Sequence, residues 1–150
     1  MRLVVQRVTR ASVRCDEEVL GEIGSGSVVL VGIGADDTTQ IVDRMADKLI
    51  GLRYFEDDDG RTNLSIAEAG GSLLVVSQFT LYADVRRGRR PGFTDAAVPE
   101  IAVPLMDRFV ERLRGAGLRV EIGRFGADIA VDLVNDGPFT LVIDSDRDLA

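Results

Sequence analysis

The sequence predicts a single α/β domain in which two helices cover a mixed sheet. Three observations lead there. The apolar runs Val28-Val29-Leu30-Val31-Gly32-Ile33 and Leu73-Leu74-Val75-Val76 are rich in β-branched residues and read as buried strands. Two segments, near Ile41 to Leu52 and Ile101 to Arg114, carry apolar residues at helical spacing. The 150 residues contain no internal repeat, low-complexity tract or domain-sized linker, which suits one core over residues 1–150.

In chain order, Leu3 to Val8 and Ala11 to Val13 read as strands, and Asp16-Glu17-Glu18 as a polar turn. With the run from Val28 to Ile33 they suggest a β-meander. Glycines at 21, 24, 26, 32 and 34 do not make a dinucleotide-binding loop, because the G-x-G-x-x-G spacing is absent and a strand follows Gly26. Asp36-Asp37-Thr38-Thr39 offers helix caps, and Ile41, Met45, Leu49 and Leu52 then define the first helix, ending near Gly51. A short strand to Phe55 precedes the acidic turn Glu56-Asp57-Asp58-Asp59-Gly60. That turn does not match the calcium-loop pattern and reads as solvated. The second helix carries Leu105, Phe109 and Leu113 on one stripe and stops at Gly115; Pro104 requires it to begin just before that residue or to kink there. Leu118 to Ile122, Ile129 to Leu133 and Phe139 to Ile143 read as strands, and the end from Asp144 as frayed.

Composition narrows the function. With 45% hydrophobic and 29% charged residues the chain folds as a globule rather than staying disordered. No stretch is long and apolar enough to span a bilayer and no signal-like segment opens the chain, so a cytoplasmic location without membrane association is expected. The single cysteine, Cys15, cannot form an intrachain disulfide and alone makes neither a zinc site nor a redox pair. Histidine is absent, which removes imidazole-based triads and the usual metal-ligand sets; no metal and no cofactor are expected. The net charge of −7 opposes nucleic-acid binding at long range, but Arg86, Arg87, Arg89 and Arg90 form a dense local positive patch.

Two stretches carry the chemistry. Ser77-Gln78-Phe79-Thr80 brings polar groups to the end of the Leu73–Val76 strand, just before the arginine loop. On residue chemistry alone it is either a site for a reacting carbonyl beside an anionic polymer or a polar strand end followed by a solvated loop. Asn135-Asp136-Gly137-Pro138-Phe139-Thr140 lies between two further strands. Together these segments resemble the Ser-Gln-x-Thr and Asn-x-Gly-Pro-x-Thr hallmarks of the D-aminoacyl-tRNA deacylases. The resemblance extends to Gln6-Arg7-Val8, Ala11-Ser12-Val13, Phe55-Glu56-Asp57, Arg86 to Pro91 and Gly123 to Asp128, and so covers essentially the whole chain.

The resemblance implies a strongly curved mixed sheet and a homodimer with two active sites at its interface. It implies hydrolysis of the ester joining a D-amino acid, or mischarged glycine, to tRNA, with rejection of L-aminoacyl-tRNA. Ser77, Gln78, Phe79 and Thr80 take the catalytic positions; Arg7, Asn135, Gly137, Pro138 and Thr140 take the substrate-binding ones. Arg86, Arg87, Arg89 and Arg90 are then the tRNA contacts. A cis Gly137-Pro138 bond facing the partner's site is also implied, with main-chain atoms excluding L-side chains; a trans turn joining two strands is the plainer reading of the dipeptide itself.

An aminoacyl ester is already activated, so selection and orientation are the main tasks. Backbone N–H groups at Phe79 and Thr80 suit an oxyanion. Thr80 as nucleophile and the ribose 2′-hydroxyl as proton handler are both compatible with the sequence. Phe139 and Gly92 depart from the family's usual smaller aliphatic residue and serine, which suggests a narrower pocket and one hydroxyl fewer. Two other classes compete: a non-catalytic tRNA-binding module, for which aromatic residues are sparse (two Tyr, six Phe, no Trp), and a small-molecule esterase, for which no G-x-S-x-G elbow exists.

Overall fold

Asp16 and Glu17 turn the start of the chain into one long hairpin. In the computed structural model, which describes residues 1–149, β1 (Arg2–Cys15) is followed by β2 (Glu18–Ile23) and β3 (Gly26–Gly32). Asp16 takes the positive φ of the turn, 49°, which a short polar side chain tolerates. The meander suggested by the sequence is not formed, because β2 and β3 both pair with β1. Ala11 faces Ile23 and Val8 faces Gly26, so one register runs through the Gly24-Ser25 break. Gly26 permits that break: its φ is +156°, and a Cβ there would lie 1.8 Å from the Ser72 carbonyl oxygen.

The other edge of β1 pairs with β8 (Ala130–Asp144), while β3 pairs in parallel with β6 (Ser72–Ser77) and β6 with β7 (Val120–Ile122). The sheet is therefore mixed. A separate two-stranded sheet joins β4 (Arg53–Glu56) to β5 (Thr62–Ser65). The sequence shows no sign of β5, since Thr-Asn-Leu-Ser has no apolar alternation.

Alternate residues of the central strands enter two different cores. Val29, Val31, Leu73 and Val75 join Leu3 and Val5 beneath the helices. Val28, Leu74 and Val76 point the other way, where the sheet curls so that Ile23 and Leu133 close over them. Burial on both faces is why these strands read as continuous apolar runs.

Helix α1 (Thr39–Gly51) starts as expected, with the Thr38 hydroxyl accepting from the Ile41 N–H at 3.3 Å. Helix α2 (Pro99–Gly115) begins two residues before the expected Ile101, because Pro99 with extended Val98 before it makes a favourable first position. Pro104 thus lies inside the helix and leaves the exposed Glu100 carbonyl without its helical donor. Arg108 and Arg112 of α2 form bidentate pairs with Asp43 and Asp47 of α1.

The end of the chain is not frayed over the described residues. Asp144 caps a single-turn helix, α3 (Ser145–Asp148), and Ser145 is buried, its hydroxyl accepting from the Met1 ammonium at 2.8 Å. That ammonium also pairs with Asp37 at 2.6 Å. Chain start and chain end are thereby tied together.

Candidate active site

The Ser77–Thr80 stretch lies where β6 leaves the sheet. The Gln78 N–H donates to the Val31 carbonyl at 2.7 Å, and the backbone then tightens into a 3-10 turn over Phe79–Tyr82. Leu81 and Ala83 donate back to the Gln78 and Thr80 carbonyls, whereas the N–H groups of Phe79 and Thr80 have no acceptor among the described residues. Such free donors are inherent to the first turn of any helix. The Gln78 side-chain amide donates to the Thr80 hydroxyl oxygen, and no basic side chain among the described residues bonds that hydroxyl.

Ser77, Gln78 and Phe79 form one end of a cleft of about 720 Å³ between the start of α2 and the Gly123–Ile129 loop, and Thr80 follows them just outside its lining. Its walls include Phe93, Val98, Met106, Val110 and Phe125. Phe79 is 54% exposed and meets Phe93 edge-on, with ring centroids 5.1 Å apart. Phe93 and Phe125 are not among the sequence-derived site residues. Neither stands in a periodic pattern that would point to a shared wall, although the Gly123–Asp128 segment carrying Phe125 is part of the resemblance.

The arginine loop is closed at its base by paired backbone bonds between Asp84 and Gly92. Arg86 folds back on Asp84 through two side-chain bonds of 2.8 Å and holds that carboxyl well below the usual carboxylate range. Arg87, Arg89 and Arg90 are exposed and form no ion pair among the described residues. The patch thus offers three uncommitted positive charges, not four.

The Asn135–Thr140 stretch does not separate two strands but is an excursion within β8. Gln6 faces Thr140 and Val8 faces Asn135, so the intervening residues bulge opposite Arg7. Asn135 closes the base: its Oδ1 accepts from the Phe139 N–H at 2.9 Å, and its Nδ2 donates to the Arg7 and Phe139 carbonyls at 3.0 Å each. Arg7 is 5% exposed; its Nη1 donates to the Tyr54 carbonyl at 2.9 Å and its Nε to the Asp136 carbonyl at 3.2 Å. The bond between Gly137 and Pro138 is cis, and both residues are exposed. Thr140 accepts from the Gln6 amide at 3.4 Å on the surface.

Phe139 does not narrow the cleft. It turns inward, stacked 6.3 Å from Tyr54 and under the Arg7 guanidinium, because the bulge directs its ring toward the core. Nor does any residue of Asn135–Thr140 line the cleft beside Ser77. Strands β3 and β1 lie between the two motifs, so they are three interstrand spacings apart, roughly 14 Å along the sheet.

Fold and site define a small mixed α/β protein with fixed backbone donors at a strand end beside an aromatic-walled cleft, without imidazole and with a basic loop at hand. A family model described as D-Tyr-tRNA(Tyr) deacylase matches residues 4–144, and the chain belongs to that family. It is 59% identical over 147 residues to a D-aminoacyl-tRNA deacylase of Symbiobacterium thermophilum, covering 98% of this chain and 97% of that one. A D-aminoacyl-tRNA deacylase of Chlorobaculum parvum is 57% identical over 148 residues, with 98% and 99% covered. The solved structure of a c-Myc DNA unwinding element binding protein superposes with a TM-score of 0.90 at 40% identity, covering 96% and 98%.

Proposed function

We propose that the protein hydrolyses the ester of D-aminoacyl-tRNA, and of glycine mischarged on tRNA, and spares L-aminoacyl-tRNA. The observation that carries this reading is the pair of free N–H groups on Phe79, which lines the cleft, and on Thr80 next to it, in a chain of this family. Water adds to the ester carbonyl, the developing oxyanion accepts from those two groups, and the bond to the ribose oxygen breaks. The products are the free amino acid and tRNA with its terminal hydroxyl restored.

Proton transfer falls to the substrate's own 2′-hydroxyl in this scheme. The Thr80 oxygen accepts from Gln78 and no basic side chain among the described residues is bonded to its hydroxyl to take the proton, which disfavours it as nucleophile. Gln78 and Thr80 orient the reacting end; Ser77 sets the strand end from which they project.

Gly137 and Pro138 of a second copy complete the site in this proposal. The separation of the two motifs within one chain supports it, as does the exposure of Val131, Val134 and Val142 along β8. Arg7 and Asn135 act beneath the excursion rather than on substrate, and Arg87, Arg89 and Arg90 meet tRNA phosphates.

The test is release of amino acid from D-tyrosyl-, L-tyrosyl- and glycyl-tRNA by purified protein without added metal. Release from the D- and glycyl-esters alone supports the reading. A D-ester rate no higher than the spontaneous one overturns it. Sedimentation of the free protein as a monomer at working concentration would remove the shared site.

A further inference from the structure

The turn that carries Phe79 and Thr80 has no side-chain cap, yet both of its ends are fixed. Its entry is held by the Gln78 N–H on Val31. Its exit is held from the first residues of β1: Arg2 Nη1 donates to the Leu81 carbonyl at 2.8 Å. The same guanidinium donates from Nε to Asp144 at 3.0 Å and lies 4.5 Å from the centroid of the Tyr82 ring. Gly34 also lies against that ring: an added Cβ there would come within 2.8 Å of it. Tyr82 is therefore packed against both a cation and a glycine backbone.

A four-residue 3-10 turn has poor internal hydrogen-bond geometry and depends on outside contacts for its shape. The planar guanidinium is suited to meeting a carbonyl, a carboxylate and an aromatic face together, which a lysine ammonium is not. No polar atom of Arg2 bonds a residue lining the cleft, so it does not act on substrate directly.

We propose that Arg2 is a positioning residue for ester hydrolysis: by fixing Leu81 and Tyr82 it holds the Phe79 and Thr80 N–H groups in the orientation that the oxyanion requires. The inference rests on the deacylase reading above. Misdirected oxyanion donors weaken transition-state binding more than ground-state binding, so the loss falls on kcat rather than KM.

The experiment compares wild type with Arg2→Met, Arg2→Lys and Asp144→Asn, by D-tyrosyl-tRNA hydrolysis and amide hydrogen exchange. In Arg2→Met, kcat falls between about tenfold and a hundredfold, less than the roughly hundredfold to thousandfold cost of deleting an oxyanion donor because the donors are misdirected and not removed, while KM stays within about twofold. The Leu81 and Ala83 amides exchange at least about tenfold faster, and the β1 and β3 amides are unchanged. Arg2→Lys is intermediate and supplies the same readings if Arg2→Met does not fold. Asp144→Asn keeps the α3 cap and the Leu81 contact and stays within about twofold of wild type.

Unchanged exchange in the turn overturns the proposal, as does a kcat of Arg2→Met within about twofold of wild type. So does an Asp144→Asn that matches Arg2→Met, because the ion pair rather than the Leu81 contact then carries the effect. Failure of the deacylase reading looks different: the wild type itself leaves the ester intact.

Discussion

Arg7 and Phe139 face each other beneath the Gly137-Pro138 excursion, the guanidinium carbon 4.6 Å from the ring centroid. A buried cation in that position is held by carbonyls of Tyr54 and Asp136 and by the more distant carboxylates of Glu56 and Asp136, at 3.9 and 3.7 Å. Arg7→Met leaves the Tyr54 carbonyl unpaired, which costs about 1–3 kcal/mol. Chemical denaturation should show that loss, together with at least a tenfold fall in kcat/KM for D-tyrosyl-tRNA. Arg7→Lys should recover little, because a single ammonium cannot reproduce the fork. A variant with wild-type stability and turnover would show that the excursion keeps its shape without Arg7.

Thr80→Ala separates orientation from nucleophilic attack. Removing a true nucleophile costs on the order of 10⁶ in kcat. Loss of a hydroxyl that only orients the reacting end should cost about a hundredfold or less. Single-turnover hydrolysis of D-tyrosyl-tRNA decides between the two, and a loss near the larger figure would make Thr80 the nucleophile.

The arginine loop should divide by charge state. Replacing Arg87, Arg89 and Arg90 by alanine removes three exposed cations and should flatten the salt dependence of tRNA binding by about 2–3 units of slope. Arg86→Ala should change the slope less, since Arg86 is already neutralised by Asp84. Equal slopes for wild type and the triple variant would place the tRNA elsewhere.

Tyr54 sets a limit on alkaline stability. Burial pushes its phenol up to about 12, partly opposed by the hydrogen bond with Ser27. The unfolded chain ionises near the ordinary value of 10.0, so between that pH and about 12 it releases a proton that the folded state keeps. Stability contributed by the neutral phenol is thus complete below pH 10 and falls as pH rises through this window, by up to about 1.4 kcal/mol per pH unit. Burial raises Tyr82 as well, with the same sign. Tyr54→Phe should make the decline shallower in denaturation curves at pH 9 and 11; an unchanged decline would assign it to other groups.

How much of this was legible depended on the reach of each interaction in sequence. The central strands were readable because Val28 to Val31 and Leu73 to Val76 are buried on both faces. The first helix was readable from its own cap and stripe. The Ser-Gln-Phe-Thr and Asn-Asp-Gly-Pro motifs were visible as motifs, and the resemblance gave them roles. What the sequence concealed was long-range: that β2 and β3 share one edge of β1, that Arg7 is held by a carbonyl 47 residues away, and that Phe139 faces the core. Arg2 gave no signal at all, since its partners Leu81 and Asp144 are 79 and 142 residues distant. A local pattern cannot encode a contact whose other half is set by the closure of the sheet.

Gly137 offers the most direct test of selection by main-chain atoms. Its φ is +128°, a backbone conformation that L-residues rarely adopt, and a Cβ at this position would lie 3.0 Å from Arg7 Nη2 and 3.3 Å from the Phe139 nitrogen. Gly137→Ala therefore strains the backbone and displaces either the guanidinium or the excursion itself. Because the sheet pairs of β1 and β8 on either side of the bulge are independent of that contact, the fold should survive with a loss of about 1–3 kcal/mol. If the Gly137 and Pro138 backbone is the surface that excludes L-side chains, its displacement should lower the rate on D-tyrosyl-tRNA by at least tenfold. It should also narrow the ratio of D- to L-ester hydrolysis, since rejection by a rigid surface is lost when that surface moves. Parallel single-turnover assays on the two esters, with a melting curve to verify folding, give both quantities. A folded Gly137→Ala that keeps the wild-type rate and ratio would mean that selection is exerted elsewhere in the cleft.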